Sequence, residues 1–383
     1  MVTVRANALI GPDLQLMQDI LIKINEKGVI INISKEKEPA EYTLPSSYLL
    51  IPGFVNAHIH VGDAFLKDQA YNLSLEDSVG PEGIKHKKFV TSSIEEKIDS
   101  IRNTLEMLVQ NGYTSFIDFR EEGLLGINLL REELSKFPIR GIILGRPAGN
   151  DFLTDVFNEG DGLGFADVFS FNQDNVNIIK VLKEKNPGKV ISIHVSESEE
   201  VVARSLSLFD KRDIELCSAY SIFDYLVHGT YANDKDLAIL KENNIGIVCC
   251  PISNIHFKLR FPEIETILKK DILLGLGTDN VLTNNPNPFR LMSLTLYAAK
   301  INNQTISPVD VLKAVTVNAG LLAKKKIGQI DEGYAADLVG IDMNSPNLKF
   351  SEDIYIAITM RAEPSDIGFQ MHNGKLVKWK DQK

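Results

Sequence analysis

The stretch Ile51 to Asp63, IPGFVNAHIHVGD, runs from an apolar, strand-like segment directly into two histidines two residues apart and then a Gly-Asp break. The whole chain has only seven histidines, so a pair at the end of a buried strand calls for a physical reason. On a strand, residues i and i+2 point to the same face, so His58 and His60 project together while Ile59 faces the opposite layer. That geometry suits chelation, because imidazole is a common ligand for borderline metals such as zinc. Two polar residues closing a strand at a loop is the plainer reading, and on this pair alone both stand.

Outward from this segment, the chain changes character twice. From Gly53 to about Gly328, short apolar runs (YTSFIDF, IRGIILG, ADVFSF, VISIHV, YLVHG, IGIVCC and ILLGLGTD) alternate with helix-like stretches such as SIEEKIDSIRNTLEMLVQNG and DKDLAILKENN. Wholly apolar strands alternating with helices imply a parallel sheet covered on both faces. With the run before His58 there are eight such strands, which suits a (β/α)8 TIM barrel over residues 53–330, a doubly wound open sheet being the competitor. The first fifty residues read as β-structure, with alternation from Asp19 to Ile33, a turn at Lys27-Gly28, and Pro45 and Pro52 as punctuation. After Gly333 short strands return in ADLVGID, IYIAITM and FQMHNGKLVKW, with Asn373-Gly374 as a hairpin signal. The expected architecture is α/β: the barrel plus a small composite β-sandwich formed by the N- and C-terminal segments, 1–52 and 331–383.

Composition bounds the partners. The 383-residue chain carries a formal net charge of −10 and a pI near 5.3. Without a long Lys/Arg block it offers no basic surface for nucleic acid or an anionic membrane. Lys324-Lys325-Lys326 reads as a solvated helix end. No window approaches 18 apolar residues, and Met1 to Leu21 contains Asp13, Gln15 and Asp19 where a signal peptide needs an apolar core. A soluble, cytoplasmic protein is expected, free to form a homo-oligomer. Cys217 and the adjacent Cys249 and Cys250 fit neither a disulfide framework nor CxxC metal spacing, and read as buried thiols.

The polar residues at strand ends carry the chemistry. His194 ends VISIHV, His228 ends YLVHG and Asp279 ends ILLGLGTD. In a parallel barrel all strand C-termini open on one face, where active sites sit. Four histidines and an aspartate from separate strands would therefore converge.

The pattern PGFVNAHIH, then a strand-end His, a second strand-end His and GLGTDN, resembles the metal-dependent amidohydrolase superfamily, and GYAADLVGID with HNGKLV is similar to its returning sandwich. IHVSE and PISN resemble motifs of the mononuclear aminohydrolase branch, which includes deaminases and chlorohydrolase-like enzymes. The resemblance implies His58, His60, His194 and Asp279 as ligands of one divalent metal, zinc or iron. It makes His228 the residue that orients the attacking water and Asp279 the general base. Binuclear relatives need a lysine at the end of the fourth strand, and ADVFSFNQDN has none.

Glu197 has two readings. In SESEEVVARSL it reads as the edge of a helix start, with Ser196 as cap and Glu199 completing an S-x-x-E box. Three residues past His194 it also stands above the metal, where it could protonate a ring nitrogen and carry a proton to the leaving amine. Asp63, Lys85, His86, Arg120, Glu121 and Arg146 follow the first three barrel strands. There substrate-binding loops belong, although a solvated loop charge explains each one alone; Asp63, Arg120, Arg146 and Asn254 are carried forward as substrate contacts. The implied substrate is a small amino-substituted heterocycle, purine, pyrimidine or triazine-like. The segment after His60 lacks the tryptophan of adenosine- and S-adenosylhomocysteine-type deaminases, the only Trp being Trp379. Hydrolysis of a cyclic amide or imidazolone is the enzymatic alternative, and a non-catalytic scaffold the remaining one.

Overall fold

A computed structural model describes residues 1–149 and 151–380. Parallel strands run Phe54–His60, Tyr113–Arg120, Arg140–Gly145, Gly162–Phe165, Val190–Val195, Tyr225–His228, Gly246–Cys249 and Leu274–Leu276, each bonded to the next. After Gly277 and Thr278 the chain pairs once more, Asp279 with Ile59 and Asn280 with His60. The ladder thus returns to its first strand, and the α/β fold is TIM-barrel-like.

The seam is pinned by one buried side chain. Asn56 Nδ2 donates to Thr278 Oγ1 at 2.6 Å, and the Thr278 amide donates to Asn56 Oδ1 at 3.1 Å. Gly277 lies so close to the first strand that a Cβ there would stand 2.6 Å from the His58 carbonyl oxygen. The strands sort their side chains by alternation. Val55, Ala57, Phe119, Leu144, Val190, Val227 and Val248 share one cluster inside the barrel, closed off by Ala319, Leu322 and Ile327. Phe54, Ile59, Phe116, Ile143, Ile193, Leu226 and Ile247 join the outer cluster beneath the helices.

Two expected strands fall elsewhere. The fourth barrel strand is Gly162–Phe165 and not ADVFSF. Gly162-Leu-Gly lacks the branched side chains that signal a strand, yet a Cβ at Gly164 would stand 2.8 Å from the Phe119 ring, so tertiary packing dictates the choice. IYIAITM is helical: Ile354–Ile356 and then Ala357–Arg361. Asp353 Oδ1 accepts from the amides of Tyr355 and Ile356, and Ala357 and Ile358 turn into the outer barrel core. A capped start outweighs the β-branched run.

The chain ends meet in one sheet. Its order is Lys375–Trp379, Ile367–His372, Leu338–Asp342, Tyr48–Pro52, Val2–Ile10, Gln15–Ile24 and Ile30–Ser34, with Tyr42–Thr43 also on Val2–Ile10. Antiparallel pairing of Leu338–Asp342 with Tyr48–Pro52 stitches the two ends together. The sheet has its own core, including Val4, Ile20, Ile22, Leu50, Leu338 and Phe369. Asn373 and Gly374, at φ 48° and 73°, make the expected hairpin turn. Residues 381–383 of the expected terminal unit lie outside the described residues. Lys324 is not simply solvated: its Nζ pairs with Asp224 at 2.8 Å. All three cysteines are free and buried. Among the described residues no helix is long and apolar enough to cross a membrane.

Replacing Asn56 by Ala strands the Thr278 amide in the seam. Each buried group left unpaired costs about 1–3 kcal/mol. Denaturant unfolding of Asn56→Ala should show a loss of that size, whereas an unchanged midpoint would mean that the seam is held elsewhere.

Candidate active site

Different backbone devices aim the strand-end residues at one point. In the first strand, Val55 and Ala57 face inward, so simple alternation would send His58 and His60 out among the helices. The pairing with Tyr113–Arg120 slips between Asn56 and Ile59, three residues spanning two on the partner. This bulge reverses the alternation and turns both histidines inward. His194 needs no such device, since Val190, Ser192 and His194 share a face. His228 would follow Leu226 outward, but its left-handed φ of 71° swings it into the barrel mouth. Asp279 is also left-handed, at φ 61°. Non-glycine residues persist there only where the surroundings enforce it, commonly at functional sites.

The donor atoms then gather. His58 Nε2 stands 3.3 Å from Asp279 Oδ1 and 3.3 Å from His194 Nε2, and His60 Nε2 is 3.6 Å from Asp279 Oδ1. His58, His60 and His194 form one group with metal-ligand spacing, and His58, His228 and Asp279 a second, overlapping one. Around a tetrahedral ion with bonds of about 2.0–2.1 Å, ligand atoms lie about 3.3–3.4 Å apart; the His58–Asp279 and His58–His194 separations match that spacing and the His60–Asp279 separation is slightly longer. Asp279 Oδ2 is buried without a partner. Burial lowers the pKa of His58 and His194 and takes His60 to about 3, which keeps the imidazoles neutral and their lone pairs available. Burial opposes ionisation of Asp279, yet the contacts with His58, His228 and His60 hold its carboxyl well below the usual range.

Outer contacts fix which nitrogen faces inward. His60 Nδ1 meets Glu121 Oε1 at 2.6 Å, and His194 Nδ1 meets the Phe165 carbonyl at 2.8 Å. Both acceptors demand a proton on Nδ1 and so free Nε2 for a ligand role. Glu121 is held ionised against its burial by Lys85, His60 and Arg120.

A cavity of about 290 Å³ opens over these atoms. His60, His194, His228, Asp279 and Glu197 line its floor side, and Glu76, Val79 and Pro81 of the segment after His60 line its other wall. Glu197 Oε1 is 3.5 Å from His228 Nε2, and burial raises its pKa, favouring the protonated form. Helix Glu199–Phe209 is capped by Ser198, whose side chain accepts from the Val201 amide. Ser196, expected as that cap, is instead bound through both its amide and its hydroxyl to Asp213. Glu197 is thus left outside the helix and free of capping.

Of the four residues carried forward as substrate contacts, only Arg146 lines the cavity. Asp63 is fully buried, accepting from the Leu282 amide at 3.2 Å. Arg120 is buried against Glu121 at 3.0 Å, and Asn254 donates to Thr230 Oγ1 at 2.8 Å. Each of these three bonds to the protein through one part of its side chain, while Asp63 Oδ2, Arg120 Nη1 and Asn254 Oδ1 are buried without a hydrogen-bond partner. Lys85, Asn280, Asp167 and Arg204 line the cavity in their place. Lys85 follows the first strand as Asp63 does, but its sequence neighbourhood of lysines looks like a solvated face; only the fold reveals its burial.

A model of the Amidohydrolase family matches residues 49–377. An uncharacterized protein of Methanocaldococcus jannaschii is 32% identical over 95% of this chain and 96% of its own length. A 5-methylthioadenosine/S-adenosylhomocysteine deaminase of Thermoanaerobacter pseudethanolicus is 28% identical, over 85% of this chain and 80% of its own. The crystal structure of a zinc-bound adenosine deaminase from Xanthomonas campestris superposes with a TM-score of 0.86, covering 100% of this chain and 94% of that one at 17% identity. This last likeness is one of fold.

Capping and chemistry are separable at the start of helix Glu199–Phe209. Ser198→Ala should cost about 0.5–2 kcal/mol of stability, the usual worth of an N-cap. Glu197→Gln should leave the unfolding midpoint unchanged; equal losses in both variants would return Glu197 to the cap.

Proposed function

Since the chain belongs to the amidohydrolase family, in its aminohydrolase branch, we propose that it is a metal-dependent hydrolase of C–N bonds that deaminates an amino-substituted nitrogen heterocycle and releases ammonia. One observation carries this reading: the imidazole Nε2 atoms and Asp279 Oδ1 gather beneath a carboxyl, Glu197, whose protonated form burial favours. In this account His58, His60, His194 and Asp279 hold one divalent metal, zinc by the preference of a His-rich set, with iron compatible with the same donors. When bound, the metal supplies a water ionised near neutral pH.

The residues do the rest. Asp279, through its unpartnered Oδ2, accepts the proton the water gives up. His228 orients the water toward the ring carbon. Glu197 donates its proton to the ring nitrogen, takes one back from the hydroxyl added to the ring carbon and passes it to the amine, so that water and the aminated ring give a ring carbonyl and ammonia, the proton held by Asp279 then restoring Glu197. Arg146 on the cavity wall contacts the substrate. The stretch from Gly162 to Asn175 contains no lysine, which supports a single metal. The Thermoanaerobacter pseudethanolicus relative is a deaminase by name, which supports deamination over the opening of a cyclic amide. We also assign residues 1–52 and 331–383 to a small sandwich and 53–330 to the catalytic barrel.

Two experiments test this. Elemental analysis should find close to one divalent metal per chain, lost in His58→Ala; two tightly bound metals would contradict the single site. With a panel of amino-heterocycles, ammonia release by Glu197→Gln should fall about 10²–10⁴-fold with metal content retained. Wild-type turnover in that variant would remove Glu197 from the reaction.

A further inference from the structure

Lys85 lies on helix Ile84–Thr91, within the segment that leaves the barrel after His60 and covers the cavity. Its side chain is only 4% exposed, and the partners it meets, Glu121 and Asn280, lie far from it in sequence. Its Nζ donates to Glu121 Oε1 at 2.6 Å and to Asn280 Oδ1 at 2.7 Å, and Asp63 Oδ2 stands 3.6 Å away. Glu121 Oε1 is the same atom that holds His60 Nδ1. Asn280 Nδ2 in turn donates to Asp279 Oδ1 at 2.8 Å. One ammonium group therefore bridges two arms, each ending on a different residue of the inner set.

A buried lysine is a costly way merely to seat a loop, since an apolar side chain of similar length would do so without desolvating a charge. Nor is Lys85 available to grip a substrate, although it borders the cavity: its three N–H groups face Glu121, Asn280 and Asp63. What a lysine does here that an apolar side chain does not is orient two acceptors at once. We propose that Lys85 is a positioning residue that sets His60 through Glu121 and Asp279 through Asn280, so that the donor set is complete only while the covering segment, residues 62–92, is seated. This rests on the metal reading of the site. Covering the cavity and holding the metal then become one equilibrium, because whatever one stabilises the other must stabilise equally.

The sign of the effect distinguishes positioning from simple charge. Removing a cation, and leaving Glu121 with only Arg120 and His60 as partners, would by electrostatics alone tighten binding of a divalent ion. Loss of positioning weakens it, by about 10–100-fold for contacts of this kind. The test is zinc affinity of the full-length protein by chelator competition, for wild type, Lys85→Met, Asn280→Ala, Glu121→Gln and the Lys85→Met/Glu121→Gln double variant. Lys85→Met should bind zinc about 10–100-fold more weakly, Asn280→Ala should also bind more weakly, and Lys85→Met should cost less in the Glu121→Gln background than alone. Zinc should slow proteolysis within residues 62–92 in the wild type and not in Lys85→Met. Unchanged or tighter zinc binding by folded Lys85→Met overturns the proposal. Should that variant not fold, Asn280→Ala, which leaves the Lys85–Glu121 pair intact, decides it, with unchanged affinity overturning it. A wild type that does not hold zinc overturns the metal reading and this proposal together, whereas a zinc-binding wild type with unaffected variants overturns the proposal alone.

Discussion

His58 Nε2 lies 3.3 Å from both Asp279 Oδ1 and His194 Nε2, in a barrel mouth where His58 and Asp279 are almost completely shielded from water. The histidine contacts favour the ionised Asp279 carboxyl against its burial, yet among the described residues Asp279 Oδ2 has no hydrogen-bond partner. Buried polar groups are tolerated when something satisfies them, and a shared cation satisfies all of them together. Much of the surrounding structure serves that convergence: the bulge that reverses the first strand, the left-handed backbone at His228 and Asp279, and the Asn56–Thr278 seam that brings the last strand against the first.

The charge beneath the site is arranged in layers. Glu121 is shared by His60, Lys85 and Arg120, and Asp118 stands 3.7 Å from Arg120. Burial raises Asp63 to about 7 and Asp118 to about 6, so this layer carries less negative charge near neutrality than its count of acids suggests. Above it, Glu197 faces the cavity with burial favouring its proton. Glu197, whose pKa burial raises, thus stands near Asp279, whose carboxyl its histidine neighbours hold low, and environments that push two carboxyl pKa values apart suit them to opposite acid–base tasks.

Much of this was legible in the sequence because strand-end position and alternation are local signals. HIH, the strand-end His194 and His228, and GTD mark their places without reference to the rest of the chain. What was not legible depends on tertiary contact. The bulge at Asn56 cannot be seen in an apolar run, and the strand Gly162–Phe165 hides in a glycine-rich stretch that only the Phe119 ring explains. IYIAITM alternates like a strand but obeys the cap at Asp353. Asp63, Arg120 and Asn254 follow barrel strands as substrate-binding residues do, yet each is turned to a protein partner. The reverse holds for Lys85, whose lysine-rich surroundings read as solvent-facing.

X-ray absorption at the zinc edge of the zinc-loaded protein tests the central claim most directly. The account predicts a first shell of nitrogen and oxygen at about 2.0–2.1 Å, with the outer scattering of three imidazole rings and no metal neighbour. A sulfur contribution from Cys249 or Cys250, fewer than three imidazoles, or a metal–metal vector would contradict it.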